Sequence, residues 1–291
     1  GYTKYSELVI PEVNSHWSRE DFIAKGIEGM DRGVWYPEYH GNIHVNPYVW
    51  WNKIKNNDSD SIFAMQYQIL LNKDGLTDSE YTTTASEQKY LIQNGINRFK
   101  KTFKFQAMSS IAPKYKWQLK TERLLSENGI KVIQAKNNQV YTINIYDRIR
   151  DKFLNIFGKK SSTKLWQLQM GDYNSKLDLV YLFRNVRFEP RGEEDSVSNN
   201  GADEAYQSIV KAWKSNQPAI IDTHRINYVH LDKVGVEENF RQLEQLLSNI
   251  TTDYPEVIFL TDWEVSQLYK NGTSVLYIGK QIRCRNLSRK E

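Results

Sequence analysis

Five histidines carry the sharpest chemical signal in this 291-residue chain: His16, His40, His44, His224 and His230. His40-Gly41-Asn42-Ile43-His44 sets two imidazoles four residues apart. On a helical turn that spacing puts both on one face, able to share a metal ion. Zinc proteases with this spacing carry a glutamate directly after the first histidine; here Gly41 stands there, so no general base comes from inside the motif. The other reading is a pair of loop or cap histidines making ordinary hydrogen bonds. Pro37 before the pair and Asn46-Pro47 after it mark a turn-rich surface. The second cluster is Asp222-Thr223-His224-Arg225, directly after the apolar Ala219-Ile220-Ile221. Asp222 and His224 are two apart and point to one side of an extended strand. A histidine there could serve as general acid beside a carboxylate, or the two could pair for structure alone. His16 and His230 have no such context and read as exposed.

The elements that must position these residues alternate between helix and strand. Phe240, Leu243, Leu247 and Ile250 fall at three- and four-residue steps, predicting a helix over about 236–250. Val257 to Leu260 reads as a buried strand, and Thr261 or Asp262 as the cap of a following helix. Asp203 to Trp213 gives a second amphipathic helix before the strand 219–221. Leu119 to Asn128, stopped by Gly129, gives a third before the strand 130–133. Such alternation predicts an α/β fold, a parallel sheet covered by helices, with the chemistry at the carboxyl ends of the strands. Residues 191–201 are polar and aperiodic and read as a loop. From Lys270 onward the chain reads as a hairpin or trailing strand.

Composition excludes several classes. One cysteine leaves no disulfide framework and no multi-cysteine metal site. A net charge of +4 with no dense basic stripe gives no case for nucleic acid as a partner. No apolar run is long enough for a membrane span. The excess lies in aromatic residues, 8 Trp, 18 Tyr and 11 Phe, side chains that build cores and also stack on sugar rings.

Three segments together resemble the polysaccharide deacetylase family (NodB-homology, carbohydrate esterase family four and its distant relatives). His40 to His44 looks like the motif whose two histidines bind the catalytic divalent metal. Ser110 to Trp117, with Pro113 and Tyr115, sits where a Pro-aromatic loop lines the substrate groove. Ile221-Asp222-Thr223-His224-Arg225 resembles the motif whose histidine is the general acid. A divergent bacterial branch of the family is the nearest in pattern, on Pro37 to Gly41, Tyr181 to Asn185, Phe188-Glu189-Pro190 and Thr223 to Tyr228.

This resemblance implies a (β/α) barrel, distorted or incomplete, over residues 1–268, with residues 269–291 as a tail or hairpin. It implies a hydrolase that removes acetyl groups from N- or O-acetylated sugars of a polysaccharide. His40 and His44 would hold a divalent metal, zinc by preference. His224 and Asp222 would be catalytic, and Tyr115, Trp117 and Arg225 would contact the substrate. The family's acidic pair, a base and a metal ligand at the end of the first strand, has no counterpart in the 39 residues before His40. Glu20-Asp21 after Ser18 reads as the first turn of a capped helix, and Asp31 lies in a turn. The expectation is therefore that the N-terminal part of the fold lies outside this sequence, and that the chain as given binds zinc weakly and has little activity. The rival expectation is a carbohydrate-binding or scaffold protein that keeps the fold, using Tyr39, Tyr48, Trp50, Trp51, Tyr115 and Trp117. A glycosidase would need two opposed carboxylates, and Glu189 with Asp222 is the pair available.

Overall fold

A computed structural model describes residues 21–67, 69, 79–140, 165–191, 200–229, 231–271, 273–278 and 281–286. The acidic residue Glu20, residues 192–199 of the stretch predicted as a loop, and the histidines His16 and His230 lie outside the described residues. The chain is α/β and divides into two compact units, residues 1–168 with 173–181, and residues 169–172 with 182–291.

In the first unit, α1 (Phe22–Asp31), α2 (Pro47–Lys55) and α3 (Ser59–Tyr67) precede the long α4 (Ala85–Phe103). Asp31 is thus the last residue of a helix rather than a turn residue. α4 starts at a capping box, in which Thr84 Oγ1 accepts from the Glu87 amide and the Glu87 carboxylate accepts from the Thr84 amide. Its buried stripe is Leu91, Ile92, Gly95, Ile96 and Phe99, the spacing of one helical face. Strand β1 (Ser109–Ile111) pairs in parallel with β2 (Val132–Gln134) across α5 (Leu119–Glu127), and α5 ends before Gly129 at φ +92°. With β5 (Tyr173–Asn174) and β6 (Leu179–Leu182) they form a mixed sheet in the order β1-β2-β6-β5. Tyr39 extends this sheet beside β1 as a single parallel bridge to Ser110. A separate antiparallel pair joins β3 (Asn138–Val140) to β4 (Leu165–Gln167).

The second unit contains a βαβ turn: β7 (Val186–Arg187), α6 (Ala202–Lys214) and β8 (Ile221–Asp222), with β7 and β8 parallel. Val186, Phe188, Ala205 and Ile209 pack against Leu246 and Ile250 of α7 (Lys233–Asp253) to make its core. The predicted helices over 119–128, 203–213 and 236–250 are therefore present, each extended or trimmed by a few residues. Val257 to Leu260, expected as a buried strand, joins no ladder among the described residues. Thr261 then caps α8 (Asp262–Asn271) through Glu264, and β9 (Thr273–Ile278) and β10 (Gln281–Asn286) form an antiparallel hairpin. The parallel pairs are short, and no closed barrel is present among the described residues.

Candidate functional site

In the second unit the strand register builds the site. β7 and β8 run parallel with Arg187 opposite Asp222, and the ladder continues as the Phe188 amide donates to the Asp222 carbonyl at 2.9 Å. Two residues beyond each strand, Glu189 and His224 therefore face each other at the carboxyl edge. Glu189 is 1% exposed, and its Oε1 lies 2.5 Å from His224 Nδ1. Its Oε2 accepts from Asn227 Nδ2, also at 2.5 Å. The His224 side chain is 56% exposed, so a buried carboxylate holds one ring nitrogen while the ring itself reaches solvent. A carboxylate on Nδ1 fixes the ring's orientation and favours the Nδ1–H tautomer, so that Nε2 is the ring nitrogen turned away from Glu189.

Asn227 is the hub beneath it. Its Nδ2 also donates to the His224 carbonyl at 2.9 Å, its Oδ1 accepts from the Arg191 amide at 3.2 Å, and its carbonyl accepts from Asn239 Nδ2 of α7 at 2.7 Å. Both asparagines are buried, so the turn carrying His224 is tied to α7 from below. Asp222 does not take the part of His224's partner. Its Oδ1 accepts from Arg184 Nη1 at 2.5 Å, and both side chains are mostly buried. Arg225 is exposed in the first position of the turn that follows. Glu189 and Asp222, the carboxylates a glycosidase reading would oppose, are each committed to a partner, His224 and Arg184.

In the first unit, His40 and His44 do come together, with ring centroids 5.2 Å apart and the planes tilted by 43°. They do so on a bend and not on the helical turn that their spacing suggests. Gly41 has φ +90°, outside the helical region, and α2 begins only at Pro47, where Asn46 Oδ1 accepts from the Tyr48 and Val49 amides. The bend is clamped by Glu80, fully buried, whose two oxygens accept from the Asn42 amide at 2.8 Å and the Ile43 amide at 3.1 Å. A Cβ on Gly41 would lie 1.9 Å from Glu80 Oε1, so the glycine is required twice over. Tyr39 anchors the entry, its ring resting on Gly95 of α4 and edge-on to Phe99. Burial first, and the Glu80 charge after it, push the Tyr39 phenol far above its usual range. Enclosure by protein, and then the Lys114 charge, lower the His44 imidazole.

Lys114 and Tyr115 both have positive φ, +55° and +53°, two successive non-glycine residues in a left-handed turn. The Tyr115 ring is half-buried and faces Lys136 Nζ at 4.5 Å from its centroid. Trp117 corrects the expectation of a substrate contact. It is 1% exposed, and its Nε1 donates to Glu122 Oε1 at 2.9 Å while Tyr181 donates to Glu122 Oε2 at 2.8 Å. No face of that indole is open to a sugar ring. Trp50 is likewise buried. Among the exposed aromatics are two that the sequence analysis does not single out, Trp35 and Tyr36, each 42% exposed. They line a cavity of about 420 Å³ together with Phe99, Phe103, Arg98 and His40.

Among the described residues the converging donors are two. Two imidazoles converge, but among the described residues no third His, Cys, Asp or Glu joins them, and the charge acting on His44 is the Lys114 ammonium. Catalytic zinc sites take three protein ligands, so a zinc ion on His40 and His44 would need one beyond these described neighbours.

Of the residues that matter in the second unit, Glu189 as the partner of His224 and Asn227 as its support are not visible from local spacing, since 35 residues separate Glu189 from His224. The signal that finds them is the register of two parallel strands. Among the described residues no helix is long and apolar enough to cross a membrane. Comparison with protein-family profiles, with curated proteins and with solved structures gives no match.

Proposed function

We propose that the chain is a hydrolase that removes acetyl groups from N- or O-acetylated sugars of a polysaccharide, with His224 as the residue that moves the proton. The observation that carries this reading is the buried Glu189 carboxylate on Nδ1 of a solvent-facing imidazole at the carboxyl edge of a parallel strand pair. In the reaction, water adds to the acetyl carbonyl as its proton passes to Nε2 of the neutral His224 imidazole, and the bond to the sugar nitrogen or oxygen then breaks. Nε2 of the His224 cation supplies the proton that the departing amine or alkoxide needs, and Glu189 balances the imidazolium charge. The choice of an acetylated sugar rests on the resemblance of three segments to polysaccharide deacetylases. The same resemblance carries the expectation of a distorted or incomplete (β/α) barrel, of which the β7–α6–β8 turn would be one unit. Zinc, the cofactor it implies, would need a donor beyond His40 and His44. The test is acetate release from N-acetylated oligosaccharides by the wild-type chain and His224→Ala. Release that depends on His224 supports the reading; none from either protein removes it.

A carbohydrate-binding protein without catalysis is favoured by a different observation, the Trp35–Tyr36 cavity beside His40. Saccharide binding that needs Trp35, with no acetate released, would select it.

A further inference from the structure

At the end of α6 away from His224, the second unit carries a concave site of its own. α6 begins beside Glu189, which bridges Asn200, and at 1.5 Å per residue Trp213 lies about 17 Å from Ala202 along the helix axis. There Trp213 and Tyr254 meet edge to face, ring centroids 4.7 Å apart at 72°. They line a cavity of about 610 Å³ with Asp253, Pro255, Glu256 and Val257. Everything charged in that lining is negative. Asp253 ends α7 and accepts from the Tyr206 hydroxyl at 2.5 Å, an interaction that keeps the phenol protonated by pushing it up to about 12. The Glu256 side chain makes no hydrogen bond or ion pair among the described residues. The carboxyl ends of α6 and α7 add partial negative charge, and Lys211 and Lys214 of α6 do not line the cavity. Aromatic faces set beside carboxylates suit a ring that bears an ammonium group.

We propose that this cavity is a second saccharide subsite, remote from His224, which takes a sugar unit carrying a free ammonium group. The choice of an amino sugar over other organic ammonium ions rests on the deacetylase reading, because deacetylation turns a neutral acetamido sugar into a cation. The subsite would therefore hold already deacetylated units of a chain long enough to reach on to His224.

The test titrates the protein with a glucosamine tetramer, its fully N-acetylated counterpart and tetralysine, by calorimetry. The glucosamine tetramer should bind about tenfold more tightly than the acetylated one, the difference being the charge on each unit. Glu256→Gln, at an exposed position, should weaken it about threefold, and Tyr254→Leu about fivefold. Equal binding of the two sugars, no effect of Glu256→Gln, tighter binding of tetralysine, or no binding at all overturns the proposal. Acetate release is read separately. Ammonium-dependent binding without acetate release keeps the subsite and removes the deacetylase reading, while acetate release without such binding does the reverse.

Discussion

Glu189→Gln is the perturbation that most directly probes the His224 site. The carboxylate is 1% exposed, with one oxygen 2.5 Å from His224 Nδ1 and the other 2.5 Å from Asn227 Nδ2. Asn227 Nδ2 can only donate, so the amide oxygen of a glutamine must turn toward it. The amide nitrogen then faces Nδ1, which has to accept, and the imidazole proton moves to Nε2. The side chain keeps its volume and its bond to Asn227, yet the imidazolium loses its counter-charge. One charge-assisted hydrogen bond is worth about 1.5–3 kcal/mol. At 1.36 kcal/mol per decade that is a loss of about 10- to 150-fold in rate. The loss should fall on kcat, since the bond matters when the ring is charged and not when the sugar docks. Acetate release from an N-acetylated oligosaccharide measures it, and imidazole ¹⁵N chemical shifts report the tautomer directly, without relying on turnover. His224→Gln, at an exposed position, should remove the acid altogether and lose about a hundredfold to ten-thousandfold. A Glu189→Gln protein that retains kcat within about twofold, or whose His224 keeps its proton on Nδ1, would refute the reasoning.

The remaining predictions concern the frame around the two sites. Gly41→Ala places a methyl 1.9 Å from Glu80 Oε1 at φ +90°, and should destabilise the chain by about 3 kcal/mol as the buried carboxylate is pushed off the Asn42 and Ile43 amides; the urea midpoint reads it. Trp117→Phe removes the indole donor from buried Glu122, and should lower stability by about 1.5–3 kcal/mol while leaving saccharide binding unchanged. Lost saccharide binding at unaltered stability would contradict the enclosed position of that ring. Thr84→Ala takes away the cap of α4 and should cost about 1 kcal/mol in denaturant unfolding. Burial alone would raise the Glu87 carboxyl in that capping box, but the Thr83 and Thr84 hydroxyls and the Thr84 amide outweigh it and hold it below 4.5. A carboxyl lowered in the folded state binds fewer protons there than in the unfolded chain. Its stabilisation is present above 4.5 and disappears as pH falls through the lowered folded value, so the Thr84→Ala penalty should shrink in an acid titration of unfolding.

Helices were the most legible part of the fold. Leu119 to Glu127, Ala202 to Lys214 and Lys233 to Asp253 each bury one stripe, and that stripe is a periodicity carried by the sequence itself. Val257 to Leu260 has the composition of a buried strand, but a strand exists only where another pairs with it, and composition does not supply the partner. The histidine pair shows the same limit at smaller scale. Four-residue spacing does bring His40 and His44 near each other, yet a positive φ at Gly41 and a helix that starts at Pro47 make the meeting a bend. At His224 the nearest carboxylate in sequence is Asp222, and Arg184, 38 residues away, claims it. The partner that His224 does have is set by which residues of two parallel strands stand opposite, a relation between distant segments that no local pattern records.

Glu80 grips the His40–His44 bend by the amide hydrogens of Asn42 and Ile43, groups that nineteen of the twenty amino acids possess. At positions 42 and 43 the grip is therefore on the backbone, with Gly41 fixed by its φ and the Asn42 side chain adding only an acceptor for Arg98 Nη1 at 3.2 Å. Positions 42 and 43 can be rewritten to change what the bend touches while the two imidazoles stay at their spacing, and the one residue barred from either place is proline.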